Sequence, residues 1–282
     1  MSGERGDVNN ATIIDWKAKL PTVCEGYTPQ DIFNMDETGL FYRDTTKSTF
    51  KVKGEECDGG KRSKERLTVA LCASMTGEKI PALVIGKCKK PLCFKKITPE
   101  ALPVIYTSNK KAWMNSALFQ WWIEKFNRKM RCHSRKVLLF VDNAPSHPTV
   151  ELSNVKLAFL PPNTTSKSQP MDQGIIQTMK LKYCKCQLQH VISAMEQDES
   201  KCGTQLLKDI NVLQAIYWIH SSWKEVESST IKKCFERCGF QSVEENTSNR
   251  DNSDEDDDDD DVPLSIIAKS KELFGLPLHE GL

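Results

Sequence analysis

With 282 residues, 39% of them apolar and 27% charged, the chain has the length and composition of a soluble protein of one large or two modest domains. No stretch approaches the roughly 18 apolar residues that cross a bilayer, and the opening "MSGERGDVNN" lacks the apolar core of a secretion signal, so neither a membrane location nor secretion is expected. The net charge of +1 conceals an asymmetry: residues 244–261 carry −10 and residues 262–282 are neutral, which leaves +11 on residues 1–243. A basic body with an acidic tail points to a polyanion as partner for the body.

Eleven cysteines without a paired CxxC framework indicate reduced thiols, hence the cytosol or nucleus. The Asn-x-Ser/Thr triplets at Asn163 and Asn246 then carry no meaning for glycosylation. "CKC" (Cys184, Cys186), "CH" (Cys132, His133) and "CFERC" (Cys234, Cys238) lack the ligand spacing of a structural zinc site.

In chain order, residues 1–30 read as an N-terminal linker remnant. "DIFNMD" (Asp31–Asp36) is a short strand ending in an acid. "RLTVALCAS" and "KIPALVIG" are β-rich and joined by "MTGE", a hairpin signal. "SALFQWWIEKFNRKM" places Leu118, Trp122, Phe126 and Met130 at helical spacing, with Ser116 as N-cap. "KVLLFVD" has the continuous apolar run of a strand covered on both faces. "VKLAFLP" gives a further strand, and a loop rich in Pro and Asn leads to a long helix starting at Asp172. Residues 31–195 thus form one α/β domain, a mixed five-stranded sheet flanked by helices with the element order of the ribonuclease-H-like fold. Residues 196–242 read as a C-terminal helical region, and 243–282 as an acidic disordered tail.

Three aspartates stand at ends of these elements: Asp36 after the first strand, Asp142 after the fourth, and Asp172 at the helix start. First and fourth strands are neighbours in a ribonuclease-H-like sheet, so two carboxylates meet and the helix can bring a third. Clustered carboxylates repel unless cations neutralise them. Hard divalent ions suit such oxygen ligands, and a pair of them can activate a nucleophile and stabilise the leaving oxygen of a phosphodiester. Each aspartate also has a plainer use: Asp36 in a turn before Gly39, Asp142 in an Asx turn before Pro145, Asp172 as a helix N-cap.

The words "DIFNMDETGLFYR", "SNKKAWMNSALFQWWIEKF", "VLLFVDNAPSHP" and "VKLAFLPPNTTSKSQPMDQGIIQTMKLKY" resemble the DDE domain of pogo/Tigger-type transposases and of the jerky and centromere-protein-B groups derived from them. The likeness runs from about Val8 to Phe240. It implies a DDE endonuclease-type domain that binds DNA in the nucleus and cleaves and joins strands with two Mg²⁺ or Mn²⁺ ions. Under it, Asp36, Asp142 and Asp172 are the catalytic and metal-binding residues, the last two 30 residues apart. It leaves room for a homodimer and for a domesticated, catalytically idle DNA-binding or scaffold protein. Only 35 residues precede Asp36, too few for the helix-turn-helix module of the resembled transposases, and Ser168 stands where they usually have leucine.

Around these acids, Glu37 and Asn143 read as turn residues, with support of the neighbouring acids as the alternative, and His147 as structural, with contact to DNA or a leaving group as the alternative. Lys61, Arg62, Lys64 and Arg66, with Lys87, Lys89, Lys90, Lys95 and Lys96, suit phosphate contacts or simply a solvated face. Trp113, Trp121 and Trp122 offer rings for base stacking, although helical spacing assigns Trp122 to the core.

Overall fold

A computed structural model describes residues 10–44, 65–198 and 203–241. The acidic run, the apolar segment after it, and Lys61, Arg62 and Lys64 lie outside the described residues.

Six strands, not the expected five, build one mixed sheet: β1 (Ile32–Leu40), β2 (Leu67–Ser74), β3 (Lys79–Gly86), β4 (Ile105–Ser108), β5 (Val137–Val141) and β6 (Val155–Phe159), in the order β4-β3-β2-β1-β5-β6. Five of these strands, β3-β2-β1-β5-β6, follow the ribonuclease-H-like arrangement, and β4 extends it at the β3 edge. β4 escapes a reading of apolar runs because it has four residues and only Tyr106 among them is buried. β2 is antiparallel to β1 and β3, whereas β1–β5, β5–β6 and β3–β4 are parallel. The C-terminal ends of five strands therefore lie along one edge of the sheet, and β2 begins there.

Helices cover both faces, which is why β2 and β5 are buried at every position. Phe33 and Met35 of β1, with Leu139 and Val141 of β5, pack under α2 (Ser116–Cys132) through Phe119, Trp122, Phe126 and Met130. The α2 N-cap is Asn115 rather than Ser116: its side chain accepts the Leu118 N–H at 2.9 Å, satisfying an otherwise orphan donor. Residues of opposite parity, Ile32, Leu138 and Phe140, face a second core formed with the long α4 (Ile175–Gln197), α6 (Val212–Glu225) and α7 (Ser228–Arg237). Two shorter helices, α3 (Thr165–Ser168) and α5 (Gly203–Asp209), complete the set with α1 (Asn10–Cys24). Within the residues read as a linker, α1 buries Leu20 and sets the Trp16 ring edge-on to Phe140, centroids 6.3 Å apart. No helix among the described residues is long and apolar enough to cross a membrane.

The β2–β3 hairpin turns where "MTGE" predicts it, with Gly77 at φ +94°. A Cβ at Gly77 would come within 2.5 Å of the Ser228 Cβ at the start of α7, so the hairpin and α7 dock through a missing side chain. Gly77→Ala therefore meets both left-handed backbone strain and a steric clash. We expect a loss of about 2 kcal/mol or more in folding stability, read by denaturant unfolding.

Candidate active site

β1 and β5 pair in parallel from Ile32 with Leu138 to Asn34 with Phe140. The same register continued by two residues sets Asp36 beside Asp142. β5 ends at Val141, so Asp142 opens a loop, while β1 continues to Leu40 on its β2 partner with Asp36 opposite Leu71. Asp36 thus lies within its strand instead of ending it, because only the β5 side of the ladder stops there. Asp172 does not start the long helix. It lies in a 3-10 turn, Pro170–Gln173, separated from α4 by Gly174 at φ +137°, a conformation closed to most residues with a Cβ.

One side chain ties these three segments together. Asn34, fully buried, donates through Nδ2 to the Phe140 carbonyl at 3.0 Å and accepts the Met171 N–H on Oδ1 at 2.9 Å. Its three attachment points stand two residues before Asp36, two before Asp142 and one before Asp172. The sequence carries a faint signal of this: Asn34 has the parity of Ile32 in an otherwise apolar run, and a polar residue on a buried face needs a reason.

Asp36 is 7% exposed. Burial, then the negative charges of Asp172, Glu37 and Asp142, push its carboxyl well above the usual range, against the Glu37 N–H, which donates to Asp36 Oδ1 at 2.7 Å. The fold therefore gathers the three aspartates into one electrostatic neighbourhood. Asp142 is half-buried and Asp172 exposed.

On the other face of β1, Glu37 meets His147. The imidazole is enclosed, packed against Phe119 with ring centroids 4.4 Å apart and planes tilted by 37°, and donates from Nε2 to Glu37 Oε1 at 3.0 Å and from Nδ1 to Asp142 Oδ1 at 2.6 Å. Burial alone would lower its pKa, but hydrogen bonds and charges from Asp142 and Glu37 outweigh this and push it up to about 10. At neutral pH it is an imidazolium set against the acidic cluster. Glu37, read as a turn residue, is an ion-pair partner within a strand, and His147 is the buried cation that holds it. Ser168 is buried too, its hydroxyl donating to the Thr164 carbonyl at 2.9 Å.

Residues 64–235 match the family described as DDE superfamily endonuclease. The chain belongs to this family. The match contains Asp142 and Asp172 and begins after Asp36. The DDE chain is 41% identical over 236 residues to the mouse Tigger transposable element-derived protein 4, an alignment covering 82% of this chain and 44% of that protein. It is 35% identical over 233 residues to the human Major centromere autoantigen B, covering 80% and 36%. It therefore spans less than half the length of either relative, and the resemblance to Tigger-type and centromere-protein-B groups is borne out. Among solved structures, the Mos1 Strand Transfer Complex aligns over 84% of this chain and 64% of that chain, at 12% identity and a TM-score of 0.47.

Among the described residues of this DDE domain, no three His, Cys, Asp or Glu side chains stand together as a group that could hold a metal ion. Asp142 Oδ1 is engaged by His147, and Asp36 Oδ1 by a backbone amide. What the donors supply is chemistry: anionic oxygens in surplus, the kind that hard divalent ions prefer. Lys87, Lys89, Lys90, Lys95 and Lys96 are exposed, Trp122 is core, and Trp121 carries the Lys125 ammonium over its ring, 4.4 Å from the centroid.

Asn34→Leu keeps the branching at Cγ, in a somewhat larger side chain, but removes the partners of a buried carbonyl and a buried N–H. We expect about 2–4 kcal/mol of lost stability in urea unfolding, from two unsatisfied buried groups.

Proposed function

We propose that this chain is a transposase-derived DDE domain that binds DNA in the nucleus and cuts its phosphodiester backbone with Mg²⁺ or Mn²⁺ held by Asp36, Asp142 and Asp172. The observation that carries this reading is the buried Asp36 carboxyl under the combined negative field of Asp172, Glu37 and Asp142. A fold that only needed to be stable would place an apolar or neutral residue there, since an unpaired buried charge is costly. A divalent cation would reverse the sign of that field, and all three aspartates would then be ionised ligands. Bound there, one or two ions would supply Lewis-acid stabilisation of a phosphodiester. The chain's own part is to hold the oxygens: Asn34 fixes the three segments, and His147 orients Asp142 through Nδ1. The names of the relatives, one transposable-element-derived and one centromeric, support action on chromosomal DNA.

A second reading is favoured by His147: its imidazolium already occupies an Asp142 oxygen, as expected of a site settled into a DNA-binding or scaffold role without catalysis. Supercoiled plasmid incubated with Mn²⁺ separates the two. We expect nicking by the native chain, and Asp142→Asn to reduce it by more than the roughly 10–100-fold that losing an outer-shell partner costs. Equal nicking by both, or none by either with any divalent ion, overturns the catalytic reading.

Binding has its own signature. Phosphate contacts from the basic body make log affinity fall linearly with log salt, with a slope of about −0.9 per phosphate on duplex DNA. A titration across salt concentrations is expected to show a slope steeper than about −3 if four or more such contacts form.

A further inference from the structure

Further along the sheet edge that carries the carboxylates, one aromatic ring is held outward by a loop with little freedom. Trp113 is 57% exposed. The Asn109 side-chain oxygen accepts the N–H groups of Lys111 at 3.1 Å and Trp113 at 3.2 Å, and its amide donates to the Trp113 carbonyl at 2.6 Å. Thr68 Oγ1 donates to the Ala112 carbonyl at 2.6 Å, and Ala112 itself is buried at φ +51°. A non-glycine residue in the left-handed region, fixed by this many bonds, is backbone strain of the kind that accumulates where a site is presented.

The Arg66 guanidinium carbon lies 4.5 Å from the Trp113 ring centroid, so one face of the indole is backed by a cation. Gly39 makes room for it: a Cβ there would approach Arg66 Cδ to 2.9 Å. Gly39 lies three residues beyond Asp36 on β1, roughly 10 Å along a strand. From the other side, Ser116 Oγ donates to the Pro145 carbonyl at 3.2 Å, joining the start of α2 to the loop that Asp142 opens. Lys110 and Lys111, three and two residues before Trp113 in the same loop, are exposed. A planar apolar face backed by a guanidinium and flanked by lysines fits a ligand that is both aromatic and anionic. A nucleotide is such a ligand. Bases within a duplex already cover one another's faces, so the face on offer suits an unpaired one.

We infer that Arg66 and Trp113 form a stacking platform for an unpaired nucleotide of the DNA strand close to the carboxylate cluster. The inference rests on the DNA-binding reading above and adds which form of the strand is held, and by what.

The test is fluorescence anisotropy of a labelled oligothymidylate, and of a duplex of the same length, with the full chain in EDTA so that no cutting intervenes. Trp113→Ala is expected to weaken single-strand binding about 5- to 150-fold, the effect of losing one stacked base. Duplex binding should change by no more than about twofold and the single-strand salt slope should stay the same, since no phosphate contact is lost. Trp113→Phe keeps a stacking ring and should restore most of the affinity. Lys110→Ala with Lys111→Ala should instead flatten the single-strand slope by about 1.4, for two phosphates released. Unchanged single-strand affinity in Trp113→Ala, or an equal loss on duplex and single strand, overturns the platform while leaving DNA binding in place. Native protein that binds neither oligonucleotide overturns both.

Discussion

The two hydrogen bonds of the Asn34 amide set the geometry on which the rest of the site depends. Fully buried, this side chain has no water to fall back on, so its donor and its acceptor must each find a fixed partner. The partners belong to β5 and to the Pro170–Gln173 turn, and Asn34 itself to β1. Each of the three aspartates sits within two residues of one of these three anchors. Like charges resist such convergence: two carboxylates about 6 Å apart at an effective dielectric near 20 repel by about 3 kcal/mol. Hydrogen bonds of about 1 kcal/mol each do not offset that. The attraction comes from the two apolar cores on either side of the sheet, and Asn34 determines where along the strands it is applied.

The repulsion that remains is handled in three physical ways. Asp36 holds its proton more tightly than a solvated carboxyl would. His147 places a positive charge between Glu37 and Asp142. Asp172 stays at the surface, where water screens it. Four acidic side chains against one imidazolium still leave the balance negative even with Asp36 holding its proton, the feature on which the metal reading is built. His147 and a divalent cation would be electrostatic alternatives at the Asp142 oxygen. That competition is what separates the catalytic reading from the idle one.

Much of this architecture is legible in the sequence where the signal is local. The "VLLFV" run becomes the fully buried β5, "MTGE" becomes the hairpin turn, and the helical spacing of Trp122, Phe126 and Met130 becomes the α2 core face. Failures occur where the determinant is tertiary. β4 is an edge strand with a single buried residue, so it has neither an apolar run nor a full alternation to reveal it. Asp172 has the residue type of an N-cap, yet Gly174 at positive φ breaks the helix off after it. The Glu37–His147 pair joins residues 110 positions apart, and nothing in either neighbourhood marks it. Asn34 shows in the sequence only as a polar residue in an apolar run; its partners are backbone groups, which leave no trace in side-chain pattern.

Topology explains why both sites share one edge. The chain builds outward from β1 through β2, β3 and β4, then returns to lay β5 and β6 on the other side of β1. The β1–β5 boundary is thus the switch point from which connections diverge in opposite directions. Such divergence opens a crevice at the carboxyl ends of parallel strands. Asp36 and Asp142 lie at that boundary, and the 170–173 turn closes over it through Asn34. β2 runs backwards between parallel neighbours, so its first residues lie where the other strands finish. Arg66, immediately before β2, is therefore delivered to the same edge as the acids, and the loop after β4 brings Trp113 to meet it. One reversed strand in a largely parallel sheet is enough to set a cation–aromatic pair beside a carboxylate cluster. An all-parallel sheet would have carried that arginine to the opposite side of the molecule.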